Sequence, residues 1–141
     1  MTNLRKAETE NALECAIILD NWISKTKEMP RLFNKLKLEQ MIKEAIPLRE
    51  VWLICSPAKG YISLNQETLQ IMALYTAEPG NGLGKILLDK VKLSRNYLHL
   101  WSHSFNKRAH NFYEREGFYL IGEKEKGDDG LPEIHFEWKR N

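Results

Sequence analysis

The chain is poor in the features that mark several large protein classes. It holds two cysteines, Cys15 and Cys55, in 141 residues, with no CxxC pair and no cysteine near a histidine cluster. That spacing argues against a metal site, and both residues sit in apolar surroundings that read as buried structural thiols. His99, His110 and His135 share no ligand spacing either, so no metal is expected. Apolar runs are short, none approaching the roughly 20 residues that a membrane span needs, and no membrane partner is expected. Residues 1–6 contain no apolar stretch of the secretory type, so the expected location is cytoplasmic. Charge of one sign is scarce: 21 Lys and Arg against 19 Asp and Glu leave a net +2, too little to argue for nucleic acid. No repeat, low-complexity segment or Pro/Gly/Ser linker divides the chain, and residues 1–141 are expected to form one domain.

What is present is periodicity that changes along the chain. A short first strand is expected over residues 2–6. Residues 8–24 carry apolar positions close to the 3.6 period, with Glu8, Glu10 and Glu14 favouring the helix start. Residues 25–34 read as a loop containing Met29-Pro30-Arg31, and 36–45 as a second helix stopped by Pro47. The period then shortens. Val51-Trp52-Leu53-Ile54-Cys55 and Tyr61-Ile62-Ser63-Leu64 predict a hairpin, and 68–76 a third strand. A helix is expected over 83–95, a strand over 97–101 and a helix over 107–116, with Asn106 as its N-cap and Gly117 just past its end. Strands over 118–121 and 134–138 close the list. The order β-α-α-β-β-β-α-β-α-β-β predicts an α/β (α+β) fold, a mixed central sheet with helices on both faces. Trp52, Trp101 and Trp138 fall on strands and are expected in the core.

Two segments carry chemistry. Glu78-Pro79-Gly80-Asn81-Gly82-Leu83-Gly84-Lys85 follows a strand and opens a helix. Glycines there let the backbone approach a ligand, and the first helical turn leaves N–H donors that favour anionic oxygens, such as a pyrophosphate. The segment is neither a P-loop, since Lys85 precedes Ile86, nor a Rossmann GxGxxG. The second is Asn106-Lys107-Arg108-Ala109-His110-Asn111-Phe112-Tyr113-Glu114-Arg115-Glu116-Gly117-Phe118.

With both segments in view, the chain resembles the Gcn5-related N-acetyltransferase (GNAT) superfamily. The family's phosphate motif, [QR]-x-x-G-x-[GA], is matched at Pro79-Gly80-Asn81-Gly82-Leu83-Gly84, with Pro79 in the first place. The later motif, an Asn followed by Ala and then Phe-Tyr-Glu-x-x-Gly-Phe, is matched at Asn106, Ala109 and Phe112 to Phe118. The run Trp22…Met29-Pro30-Arg31 is similar to a loop of one bacterial branch of the family. The resemblance covers the second half of the chain by motif and the first half by element order.

The resemblance implies acetyl-CoA as the donor and a small-molecule or peptide amine as the acceptor. It implies a splayed strand whose backbone at Leu74, Tyr75 and Thr76 takes the pantetheine arm, with the backbone of Gly80, Asn81, Gly82, Leu83, Gly84 and Lys85 taking the pyrophosphate. Asn106 would bind the pantetheine arm, and Tyr113 would protonate the departing thiolate, a task suited to a phenol. Neighbouring helix positions point apart, so Phe112 and Tyr113 are not expected to share one core. Glu78 and His103, the latter just past its strand, are the candidates for a general base. A backbone N–H, that of Tyr75, is the expected oxyanion donor. Trp22, Met29 and Arg31 are expected to line the acceptor side. Pro79 replaces a side-chain donor and weakens the phosphate motif.

The expected activity is acetyl transfer to a primary amine by direct attack in a ternary complex, by a monomer or homodimer. One alternative is a non-catalytic acyl-CoA-binding module on the same fold, and another a phosphate-binding α/β domain of another class, which would bind free nucleotides such as ATP in preference to CoA. The strand over 134–138 is a candidate sheet edge for pairing with a second subunit.

Overall fold

A computed structural model of the chain describes residues 3–141. The strands are β1 (Leu4–Lys6), β2 (Glu50–Ile54), β3 (Gly60–Asn65), β4 (Gln70–Thr76), β5 (Tyr97–His103), β6 (Tyr119–Lys124) and β7 (Glu133–Lys139). The α-helices are α1 (Ala12–Lys25), α2 (Lys35–Ala45), α3 (Leu83–Lys92) and α4 (Lys107–Arg115), with single 3-10 turns at Thr9–Asn11 and Ile46–Leu48. The element order is the one read from the sequence. The first strand was expected from residue 2, which lies outside the described residues. Leu69 adopts φ 62° and the Asn65 side chain accepts from Glu67 N and Thr68 N, so β4 begins two residues later than the apolar pattern suggests.

One sheet runs β1-β2-β3-β4-β5-β7-β6, with every neighbouring pair antiparallel except β4 and β5, which are parallel and joined through α3. This corrects one expectation. Strand β7 is internal, between β5 and β6, and the edge at that side of the sheet is β6, whose Tyr119, Leu120 and Ile121 are exposed. The connection through α4 places β6 one strand position away from β5, and β7 folds back as a hairpin into the position between them.

Alternation along the strands divides the core in two. Val51, Leu53 and Tyr61 face α1, packing on Ala12, Cys15 and Ile18. Ile54, Ile62, Leu64, Leu98, Leu100 and Phe136 face the other way, onto Leu83, Leu87, Leu88 and Val91 of α3 and onto Tyr113 of α4. Burying a side chain such as Leu87 fully is worth about 1.5–3 kcal/mol. Trp138 is buried as expected, but Trp52 and Trp101 are half-buried, Trp52 under the Lys90 ammonium and Trp101 stacked on His135 at 4.1 Å. Cys15 is buried and its thiol is pushed up to about 12 by that burial, whereas Cys55 is only half-buried, at φ 70° just after β2. No helix among the described residues is long and apolar enough to cross a membrane.

Candidate active site

Parallel strands β4 and β5 are paired only at Gln70 and His99, where His99 N donates to Leu69 O at 3.1 Å. Beyond that rung they diverge. The cause is visible on the other side of β4: Ser63 faces Ala73 but Leu64 faces Ile71, so Met72 is an extra residue. Such a bulge bends and twists its strand. Ala77 N donates to Lys59 O on the β3 side at 2.8 Å. Alternation then turns the backbone groups of Tyr75 to β3 as well, and those of Leu74 and Thr76 to the open gap. The main-chain donor facing the gap is therefore not the Tyr75 N–H expected above.

The gap widens into a cleft of about 1070 Å³ lined by α1, β4, the glycine loop, β5 and α4, at the upper end of the usual size for ligand pockets. Gly80 and Gly82 adopt φ 84° and 80°, a conformation few other residues accept, and Gly82 is the N-cap of α3. Asn81 Oδ1 accepts from Leu83 N at 3.3 Å, and the helical ladder starts with Ile86 N to Gly82 O. The N–H groups of Gly84 and Lys85 in the first turn are thus left for a ligand. Leu83 itself points into the core and does not line the cleft. Lys85 is held by Glu116 at 3.0 Å and Asp89 at 3.3 Å. Two further cations that sequence reasoning missed, Arg108 and Arg115, line this end. Arg108 lies beside Gly80, where a Cβ would stand 3.7 Å from its Nη2, and so brings a guanidinium to the loop that has Pro79 in place of Gln or Arg.

On α4, Asn106 Oδ1 accepts from Ala109 N at 3.2 Å, capping the helix, while its side chain borders the cleft. Tyr113 also lines the cleft, but its ring is 8% exposed and packs on Phe118, Phe136 and Phe112. Phe112 thus packs at the margin of the same core as Tyr113, contrary to expectation: its ring lies against Tyr113 and beside Gly84 at the start of α3. Burial raises the Tyr113 phenol well above its ordinary value, with a contribution from Tyr75.

At the opposite end, Trp22 packs on Tyr75 at 5.2 Å and stacks on His103 at 6.2 Å. His103 is the last residue of β5 rather than a loop residue, and its Nε2 lies 2.6 Å from Asp129 Oδ2. Burial works to raise the Asp129 carboxyl, but hydrogen bonds from His103 and Leu131 N outweigh it and hold the group below its ordinary range. Glu133 lines the cleft next to them, and the ligand-type atoms of the three lie within 4.8 Å of one another. The nearest pair in this cluster is a hydrogen bond, so we read it as a dyad with an adjacent carboxylate. Sequence reasoning missed Asp129 and Glu133. Three other candidates stay outside the cleft lining: Met29, the exposed Glu78, and Arg31, which is held by Asp20 at 2.5 Å and Ser24 at 2.6 Å on α1. His99 and His135 hydrogen-bond to each other at 2.9 Å, and His110 Nε2 donates to the His103 carbonyl at 2.9 Å.

No family model matches the chain. A structural comparison matches it to apo YjaB from Escherichia coli, with a TM-score of 0.80 at 19% identity over 100% of this chain and 99% of that one. A GCN5-related N-acetyltransferase from Rhodopseudomonas palustris also superposes at 0.80, with 15% identity over 99% and 96% of the two chains. The chain has the fold of the GNAT acetyltransferases. A further neighbour, the putative acetyltransferase yncA from Salmonella typhimurium with its cofactor acetyl-CoA, gives a TM-score of 0.74 at 15% identity over 100% and 95% of the two chains. Among curated proteins, the peptidyl-lysine N-acetyltransferase YjaB of Salmonella typhimurium is 22% identical over 135 residues, 94% of this chain and 93% of that protein.

Proposed function

We propose that the chain transfers an acetyl group from acetyl-CoA to a primary amine by direct attack within a ternary complex. The observation that carries this reading is the β4–β5 pair joined by a single rung and opening onto the glycine loop at the start of α3. The yncA structure with acetyl-CoA and the name of the YjaB relative support it, and the latter favours a lysine side chain as acceptor. Acetyl-CoA, when bound, supplies an activated thioester.

The chain's own groups have distinct tasks. Leu74 and Thr76 offer backbone partners to the amides of the pantetheine arm. Gly84 and Lys85 N–H, with the positive end of α3, receive the pyrophosphate. The Asn106 amide nitrogen faces the arm while its oxygen caps α4. Tyr113 gives a proton to the thiolate, and His103 takes one from the amine; Trp22 walls the acceptor. These are proton transfers and orientation, and the step calls on no metal. We assign the reaction to the cytoplasm, where acetyl-CoA is available, and the working unit to a monomer or a homodimer.

A second reading, a binding module without turnover, draws on the burial of Tyr113 in the core. One experiment tests both. Acetyl-CoA is titrated calorimetrically into the wild type and Gly84→Trp, with ATP as control, and thiol release is then followed with an amine panel. Gly84 sits in ordinary helical geometry, and a side chain there meets Phe112 only at 3.5 Å. We expect acetyl-CoA binding that Gly84→Trp abolishes, together with amine-dependent thiol release. Binding without release on any amine favours the module, and absence of acetyl-CoA binding overturns the reading.

A further inference from the structure

Charge is unevenly placed along the cleft: the glycine-loop end has three cations against one carboxylate, Glu116, which pairs with Lys85, and Lys25 lies on the α1 wall with Trp22. Lys85, Arg108 and Arg115 stand at the glycine-loop end. At the other end Glu133 lines the wall together with Trp22 and His103, and Asp129 is hydrogen-bonded to the histidine. This second end is assembled with some care. Asp129 Oδ1 accepts from Leu131 N at 3.0 Å and Oδ2 faces His103 Nε2 at 2.6 Å, so both oxygens are committed and the carboxylate is fixed in direction. Gly127 lies so close that a Cβ on it would come within 2.5 Å of the Glu133 carboxyl carbon, so a side chain at 127 would displace the Glu133 carboxylate from its present position. Glu133 Oε1 has a distant partner in Lys124 Nζ at 3.4 Å, and Oε2 has none among the described residues. The side chains of His103, Asp129 and Glu133 are each less than a fifth exposed (15%, 17% and 17%), which limits screening by water.

We propose that this end is an anionic subsite for the ammonium of a cationic acceptor, in which Glu133 receives the charge and Asp129 holds His103 so that its Nδ1 takes the proton. The proposal deepens the transferase reading and rests on it for the chemical step. With Nε2–H donated to Asp129, the ring's other nitrogen is left as the acceptor. The ammonium gives one proton to His103 Nδ1. The freed amine forms a C–N bond to the thioester carbonyl carbon and the C–S bond breaks. Tyr113 protonates the departing thiolate, the nitrogen's second proton passes through water to the Tyr113 phenolate and restores it, and the imidazolium releases its own proton to water. The net products are amide, thiol and one proton. Burial pushes the Tyr75 phenol up to about 12, and the carboxylates of Asp129 and Glu133 add to the rise, which is consistent with a negative field reaching across the cleft. The other titratable group touching His103 is His110, which donates to its backbone carbonyl.

The test has a binding arm and a kinetic arm. In the first, Nα-acetyl-lysine amide and its neutral counterpart Nα-acetyl-norleucine amide are titrated into the full chain with and without CoA, followed by NMR. We expect the lysine probe alone to bind, and Glu133→Gln to weaken it roughly 10- to 100-fold while CoA affinity is unchanged. Equal binding of the two probes, or an unchanged lysine affinity in Glu133→Gln, overturns the subsite whether or not the protein turns over. In the second, Asp129→Ala is expected to lower kcat on the lysine probe about 100-fold with KM nearly constant, to lose the hydrogen-bonded Nε2 proton signal of His103, and to be partly rescued by Asp129→Asn. An Asp129→Ala enzyme with wild-type kcat removes Asp129 from the mechanism. A wild type that binds the lysine probe and CoA but releases no thiol sinks the transferase reading and leaves the subsite standing.

Discussion

The Tyr113 ring packs between Phe118 and Phe136 while the residue still borders the cleft. The hydroxyl is therefore separable from the packing. Tyr113→Phe keeps every ring contact and is expected to leave the unfolding midpoint and acetyl-CoA affinity almost unchanged, while lowering kcat by about 100-fold. Equal kcat in the two enzymes, measured by thiol release, would remove Tyr113 as the proton donor. At this scale the sequence was readable where partners are close along the chain. Asn106 and Tyr113 belong to one helix and its cap, so one contiguous motif brought both into view through the family resemblance. Asp129 was not readable, because it meets His103 across 26 positions and through a turn whose closure depends on Gly127 and Gly130. Arg31 was misread for a related reason: its partners Asp20 and Ser24 are fixed only once α1 has formed.

Helix α4 joins the site to the scaffold through its first residue. Asn106 uses Oδ1 as a cap and borders the cleft, and in the proposed reading its amide nitrogen serves the cofactor arm. Asn106→Ala should therefore cost about 1 kcal/mol in urea unfolding and also weaken acetyl-CoA. Asn106→Asp keeps the cap and removes the donor, so its stability should be near wild type while calorimetry reports weaker binding. Loss of stability without loss of affinity in Asn106→Ala would confine the residue to capping. The bulge at Met72 could not be read from an apolar run, since one residue added to β4 leaves its pattern apolar and changes only its register against β3. Nor does chain order say which of two hairpin strands docks on β5, which is why β7 was expected at the edge.

Across the whole molecule, element order was legible because the shift from helical to strand period is strong, while the opening of the sheet was legible only through the family resemblance. Two ion pairs hold the halves of the chain to the sheet: Glu14 with Arg5 at 2.9 Å, and Glu50 with Arg95 at 2.6 Å. For Glu50, burial acts to raise the carboxyl, but the hydrogen bonds from Arg95 and Trp52 outweigh it; for Glu14, Ala58 N, Asn11 and Arg5 do the same. Both folded values lie below the ordinary 4.5, so their contribution is complete above that pH and is lost as pH falls through the folded values. Chemical unfolding should show stability falling once pH drops below 4.5, and Glu50→Gln should flatten that fall; an identical slope in the variant would show that Glu50 is not responsible.

The single rung at Gln70 and His99 has a mechanical consequence. It divides the sheet into two leaves, one of four strands and one of three, sharing a spine at one end and a gap at the other. A molecule lying in that gap touches main chain from one leaf and α4 from the other, and works as a dowel between them. Part of its binding energy then goes into stiffening the leaves. Affinity for the ligand and resistance to unfolding become two measures of one property, and a change that loosens the spine alters both together.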